Sequence, residues 1–300
     1  MNFNVALRLG RVSNLPTVWS NSLAGLVLAG GGLAGSGIGI ELSPGLIFGL
    51  FLIMSLFYVG GMYLNDAFDQ HIDAVERPER PIPSGQVSAR TVYIAGYGML
   101  ALGIAALFWR GPGIAPGHTL APGLCGICLA LAIVYYDWRH KTDPVGPAWM
   151  GLCRVIIYLT AAFLVTAQPP VILYLGAVAL FCYLIGLTYI AKQENLGQVA
   201  NLWPLLFLAV PVAGAIWIAV TKGGIAMLLA AVFVIWMVNA LRYLWRRGPG
   251  DIPRAVVSLI AGMSLLDAVL IAHMGAPIMA GAAAACFALT LAFQRFIPGT

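Results

Sequence analysis

Charge is what this sequence lacks. Asp, Glu, Lys and Arg make up only 9% of its 300 residues, against about 25% in a soluble domain. A water-soluble globular fold is excluded at that composition, because 61% apolar content leaves too little polar surface to face water. Cysteine is also sparse. Cys125, Cys128, Cys153, Cys182 and Cys286 all lie inside apolar runs, so a disulfide framework is not expected. Cys125 and Cys128 have CxxC spacing, but no second pair accompanies them. Small-residue packing between helices explains them better than metal or redox chemistry. No stretch reads as a cleaved signal peptide. The net charge of +5 calls for no nucleic-acid partner, since the cations follow a topological pattern instead.

What the sequence has in abundance is apolar runs of span length. Ten candidates lie at residues 14–34, 44–64, 91–109, 119–136, 147–167, 170–190, 202–220, 224–244, 254–273 and 277–296. Apolar segments of about 20 residues read as transmembrane helices. The expected fold is therefore all-α, a polytopic transmembrane bundle of about nine or ten spans in a single domain covering 1–300. With the N-terminus in the cytoplasm, every Lys and Arg falls in a cytoplasmic segment except Arg110 and Lys222 outside and Arg154 within the fifth span. That bias is the positive-inside pattern. It predicts an inner-membrane protein with both termini and its polar loops on the cytoplasmic side.

The scarce acids are not scattered. Of 11 acidic residues, Asp66, Asp69, Asp73, Glu76 and Glu79 fall within NDAFDQHIDAVERPERPIPSG, residues 65–85. Asp66, Asp69 and Asp73 are spaced i, i+3, i+7 and share one face of a helix, with Asn65 beside them. Like charges so placed destabilise a helix, and these sit at the C-terminal end of a span, where the helix dipole disfavours acids. A divalent cation resolves the conflict, and an all-oxygen ligand set suits Mg²⁺. Three prolines then stop the helix, so Arg77 and Arg80 can fold back toward the acids. Cations beside a metal–carboxylate cluster imply an anionic ligand, and diphosphate fits. Arg154 in the fifth span also needs an anion. Asp267 in the ninth is either a helix–helix hydrogen bonder or a pocket group.

NDxxDxxxD followed by RPxRPIPSG resembles the first motif of the UbiA superfamily of intramembrane prenyltransferases. With ten spans, the chain is most similar to the UbiA-like proteins called EboC. The resemblance covers essentially the whole chain, although its motifs occupy a small part. It implies Mg²⁺-dependent transfer of a prenyl group from a prenyl diphosphate to a small acceptor, with Mg²⁺ on Asp66, Asp69 and Asp73. It further implies that Tyr135 or Tyr136, with Arg139 and Lys141, contacts diphosphate at the end of span four. Aromatic anchoring and the positive-inside bias explain those four residues equally well. Arg11, Asn14 and Asn21 are counterparts of the family's N-terminal polar residues. The family's second acidic motif, roughly DxxxD, should close span six. Here only Glu194 is acidic, with Lys192 two residues earlier. Either Lys192 supplies fixed charge there in place of a second metal ion, or the chain binds or moves an isoprenoid lipid without turning it over. The acceptor stays open among aromatic carboxylates, quinone precursors, chlorophyllides and glycerol phosphates.

Overall fold

The computed structural model describes residues 2–33, 40–110, 120–139, 143–193, 203, 205–246 and 248–297. Among these are twelve α-helices: α1 Phe3–Leu9, α2 Leu15–Leu28, α3 Pro44–Phe68, α4 Gln70–Glu76, α5 Ala89–Arg110, α6 Ala121–Arg139, α7 Gly146–Phe163, α8 Val171–Lys192, α9 Leu205–Lys222, α10 Gly224–Arg246, α11 Asp251–His273 and α12 Pro277–Phe293. The ten apolar runs correspond to α2, α3 and α5–α12. Eight of these helices are long and apolar enough to cross a membrane, so the chain is an integral membrane protein. The other two are shorter: α12 has 17 residues and α2 only 14. The first apolar run was expected to continue to residue 34, but its helix stops at Leu28. Gly30 then takes a φ of 95°, and Gly31–Gly32 bridge in parallel to Ile40–Glu41.

The bundle is built around α2 and α11. Of the most apolar stretch of α11, 83% is buried, against 22% in α9, so α11 is interior and α9 lies at the periphery. α2 packs against α3, α7, α11 and α12. It carries Thr17, Ser20, Asn21 and Ser22 with no exposed surface. Lipid offers these groups nothing, so each must be satisfied inside the protein. Thr17 and Ser22 donate back to the carbonyls of Asn14 (2.7 Å) and Val18 (2.8 Å), a local satisfaction open to small hydroxyls in helices. Asn21 and Ser20 look outward to other helices. The short α2 therefore acts as a polar post inside an apolar bundle.

Close helix approach depends on missing side chains. A Cβ on Gly25 of α2 would lie 2.7 Å from the Tyr158 carbonyl oxygen and 2.8 Å from Ala161 Cβ, so α2 and α7 meet backbone to side chain. Gly60 of α3 and Gly96 of α5 face each other in the same way. This is the small-residue packing that lipid-embedded helices use. Gly98, by contrast, points into open space. We predict that Gly25→Val lowers stability by about 1–3 kcal/mol through overpacking, whereas Gly98→Ala is neutral or slightly stabilising. Thermal melting of the two variants in detergent checks this. Equal melting temperatures would contradict the α2–α7 contact.

Candidate active site

The acidic segment does not fold as one continuous helix. α3 ends at Phe68, and Asp69 is the junction residue (φ −80°, ψ −1°) from which α4 starts. The chain nevertheless keeps the i→i−4 pattern through the joint, with Asp69 N–H on Asn65 O (3.0 Å) and Asp73 N–H on Asp69 O (2.8 Å). The aspartates thus stay on one side of a bent rod. α4 stops at Glu76, because Pro78 forces Arg77 out of the helical region (φ −143°, ψ 62°). The prolyl segment then turns back: Ser84 N–H reaches Arg80 O and Gln86 N–H reaches Pro81 O. Ile82 and Val87 pack with Val5, Leu9, Tyr63 and Val92 in a small apolar cluster. That cluster fixes the loop, and the loop delivers Arg80.

Arg80 Nη1 bridges Asp73 Oδ2 at 2.7 Å and Asp66 Oδ1 at 3.5 Å. Arg11 approaches from the other side, with Nη2 at 2.9 Å from Asp66 Oδ1 and 3.3 Å from Asn65 Oδ1. Asn65 turns its amide nitrogen to Asp137 Oδ1 at 3.2 Å. The result is one chain of partners, Arg80–Asp66–Arg11–Asn65–Asp137. Arg11 is held by an unusual backbone, since it has a φ of 41°, a left-handed conformation that costs a non-glycine residue on the order of 1–3 kcal/mol. The strain orients its side chain back over α3. Burial, the largest influence, pulls the Arg11 guanidinium pKa down, yet Asp66 and neighbouring groups hold it above the ordinary arginine value. Arg11 therefore remains a cation.

Beside this chain lies a cavity of about 250 Å³. Its polar end is lined by Arg11, Asn14, Asn65, Asp69, Asp73, Arg77 and Arg80, and Arg154 and Tyr136 reach it from α7 and α6. Its other wall is apolar, formed by Met150, Leu184, Leu187, Val256, Ile260 and Met263. A smaller pocket of about 60 Å³ adjoins it between α3, α6 and α7, sharing Tyr58, Met62, Tyr136, Met150 and Arg154. An anion-sized polar head and an apolar tail thus have adjacent walls to meet.

The structure brings Asn65, Asp69, Asp73, Arg77, Arg80, Tyr136 and Arg154 together around this cavity. It also brings in Asn14 and Arg11, and it places Asn21 behind the wall. Other expected groups lie elsewhere. Asp66 does not line the cavity but sits behind it, engaged by Arg11 and Arg80. Tyr135 packs on Trp149, with ring centroids 4.4 Å apart. Arg139 is exposed and stacks over the Trp138 ring at 4.7 Å. Lys192 does not supply charge to the cavity; it is exposed, and its Nζ donates to the Asp143 carbonyl at 2.7 Å. Lys141 and Glu194 lie outside the described residues. Sequence reasoning missed two residues. Tyr58 lies about two helical turns before the acidic motif on α3. Asp137 resembles a loop acid in YYDWRH but is buried at the end of α6.

The donor set can be tested against Mg²⁺. No group of three or more acidic, His or Cys side chains is close enough to enclose a metal ion among the described residues. Asp69 and Asp73, one helical turn apart and both on the cavity wall, do match the one or two carboxylates Mg²⁺ usually takes before phosphate and water complete its shell. The fit is to two aspartates, of which Asp73 also pairs with Arg80 at 2.7 Å, while Asp66 serves Arg11 and Arg80.

Comparison with known proteins agrees with the geometry. The UbiA prenyltransferase family profile matches residues 18–266. A digeranylgeranylglyceryl phosphate synthase from Methanoregula boonei is 30% identical over 245 residues, covering 77% of this chain and 75% of that protein. Enzymes of the same name match over shorter stretches: 41% identity over 81 residues for Methanothermobacter thermautotrophicus, and 30% over 145 residues for Methanopyrus kandleri. Those matches span only 26% and 45% of the relatives' own lengths. Two solved structures share the fold. A digeranylgeranylglyceryl phosphate synthase aligns with TM-score 0.61 at 18% identity, covering 90% of this chain and 97% of the other. A UbiA homologue from Aeropyrum pernix aligns with TM-score 0.62 at 14% identity, covering 86% and 98%.

The partner chain makes a stability prediction. Arg11→Met leaves the buried Asp66 with only the longer Arg80 contact, so we expect a loss of about 2–4 kcal/mol. Arg139→Met, at an exposed position, should stay within about 0.5 kcal/mol of the parent. Thermal unfolding in detergent separates them, and an unchanged Arg11→Met protein would refute the pairing.

Proposed function

The chain belongs to the UbiA prenyltransferase family, and from that premise we propose that it transfers a prenyl group from a prenyl diphosphate to a small acceptor inside the membrane, with Mg²⁺ as cofactor. The observation that carries this reading is the single cavity in which two aspartates and four arginines border an apolar wall. The diphosphate head would sit at the Asp69–Asp73 end and the isoprenoid along Leu184, Leu187, Val256 and Ile260. Asp69 and Asp73 would hold Mg²⁺, which when bound offsets the charge of the diphosphate.

The chain's own residues do the rest. Arg77 and Arg80 face the leaving diphosphate. As the allylic C–O bond breaks, its electron pair leaves with the diphosphate oxygen, and fixed guanidinium groups stabilise that growing charge more than they stabilise the reactant. Asp66 and Asp73 keep Arg80 in place before substrate arrives, so little reorganisation is needed. The allylic carbon becomes electron-poor. Tyr58 and Tyr136 line the cavity, and an aromatic face stabilises a desolvated cation by about 2 kcal/mol. A nucleophilic carbon or oxygen of the acceptor forms the new bond and loses a proton. Burial in the bundle excludes the water that would otherwise quench the cation.

The arginine distribution supports a cavity mouth on the cytoplasmic side with both termini there. The ERPERPIPSG segment and the single acid after α8 favour the EboC-like branch of the family. A non-catalytic isoprenoid-binding role is the second reading. One observation favours it: Lys192, near the expected second acidic motif, turns away to the Asp143 carbonyl.

Purified protein in lipid nanodiscs, supplied with Mg²⁺, a radiolabelled prenyl diphosphate and candidate acceptors, tests the proposal. We predict that Asp69→Ala lowers diphosphate release at least about 100-fold, as does removal of Mg²⁺ by EDTA, while Arg139→Ala stays within about threefold. Full activity in Asp69→Ala would overturn the site. Tight binding of the diphosphate without turnover would establish the second reading.

A further inference from the structure

Two arginines of the cavity differ from the others. Arg11 and Arg80 touch carboxylates, but among the described residues no carboxylate lies within salt-bridge distance of Arg77 or Arg154. Of these two only Arg154 is buried, 8% exposed. Its Nη1 donates to Asn21 Oδ1 at 3.0 Å, and its guanidinium lies 5.7 Å from the Tyr58 ring. The Tyr58 hydroxyl donates to the Arg11 carbonyl at 3.4 Å. Arg154 therefore lines the cavity beside Tyr58, about two helical turns along α3 from Asn65.

Behind it stands a closed polar network. Asn21 Nδ2 donates to Asp267 Oδ2 at 2.8 Å, Ser20 Oγ donates to the same oxygen at 2.6 Å, and Tyr158 OH donates to Asp267 Oδ1. Ser264 adds its hydroxyl to Ser20 at 2.9 Å. Asp267, Ser20 and Asn21 have no exposed surface and do not line the cavity, which removes the alternative of Asp267 as a pocket group. The chemistry of the set fixes every orientation. A carboxylate only accepts, so the Asn21 amide nitrogen must face Asp267. Its carbonyl oxygen must then face Arg154, and that oxygen takes one guanidinium N–H while leaving the others for the cavity. Were Asp267 neutral or absent, Asn21 could flip and present N–H groups to a cation.

We propose that Asp267 and Asn21 are positioning residues that aim Arg154 at an oxyanion bound in the cavity beside Tyr58. The carboxylate balances the arginine through the amide without capping it, so the guanidinium keeps donors for a ligand. The ligand chemistry is an oxyanion that matches a planar fork of N–H groups. Its source is either the departing diphosphate or an oxygen of the acceptor. The inference rests on the prenyl-transfer reading only for the identity of that anion.

A mutant cycle tests it. Nanodisc-embedded wild type, Asp267→Asn, Arg154→Met and the double variant are compared for affinity toward Mg²⁺–inorganic diphosphate by calorimetry, and for kcat and KM in the labelled-prenyl assay. Each single change should cost about 10-fold or more in one of the two readouts, the loss of a charge-assisted hydrogen bond. The double variant should match Arg154→Met within about twofold, because both act through one guanidinium. A loss in diphosphate affinity assigns the oxyanion to the leaving group. A loss in turnover alone, at unchanged affinity, assigns it to the acceptor. Additive losses, or Asp267→Asn equal to wild type while Arg154→Met fails, would overturn the positioning role. Wild-type values for Arg154→Met in both readouts would remove the oxyanion site itself. Should Asp267→Asn not fold, Asn21→Ala takes its place in the cycle. A wild type that releases no diphosphate, with Asp69→Ala indistinguishable from it, defeats the prenyl-transfer reading instead; the affinity arm still judges the network.

Discussion

A charge taken into a lipid-embedded bundle must find a partner there, because no water is at hand to solvate it. That constraint shapes this protein from Arg80 to Asp267. Few charges are present, and those around the cavity are tied into two sets. The first is the chain Arg80–Asp66–Arg11–Asn65–Asp137, which joins the N-terminal segment, the prolyl loop, α3 and α6. The second is Arg154–Asn21–Asp267, which joins α7, α2 and α11. Both sets use an asparagine as the link between a cation and an acid. Each asparagine turns its oxygen to an arginine and its nitrogen to a carboxylate, so the amide orientation is determined by charge on both sides. Seven of the protein's structural pieces are thereby tied to one cavity.

The same constraint explains the packing. Polar groups need close partners, and close partners need helices that approach tightly. α2 is nearly all buried and places Gly25 against the Tyr158 backbone. That contact sets the separation of α2 from α7, and so the reach of Arg154 to Asn21. The strained backbone at Arg11 serves the same end, by turning a side chain from the start of the chain onto the end of α3.

Much of this was legible in the sequence. Ten apolar runs became ten helices because span length and bounding charges are strong local signals. The kink at Asp69 was not legible, since i, i+3, i+7 spacing describes a straight helix and nothing local marks the joint. Arg77 and Arg80 line the same cavity as the aspartates, as expected from prolines that stop the helix and turn the chain back. Arg139 and Lys192 were misplaced for a common reason. A cation at the end of a span satisfies the positive-inside bias whether it faces a cavity or lipid headgroups, so composition cannot orient it. Asp137 was overlooked because one residue of helix beyond the expected end decides whether it is a loop acid or a buried one. Asp267 was recognised as costly, but which helix would satisfy it is a tertiary fact.

The charge arrangement also bears on the proposed metal ion. Around the cavity, among the described residues, Arg11, Arg77, Arg80 and Arg154 stand against Asp69 and Asp73 on the wall and Asp66 and Asp137 directly behind it. Four cations against four anions leave the site near neutral. A neutral site of this kind orders its arginines well but attracts a multiply charged diphosphate poorly, and the carboxylates on the wall repel it. A divalent cation held by Asp69 and Asp73, as proposed, would add positive charge at that end of the cavity, and the arginines would remain for the phosphate oxygens. Asp73 also holds Arg80, so it serves the arginines as well as the proposed metal ion; the second carboxylate on the wall, Asp69, is what favours magnesium there.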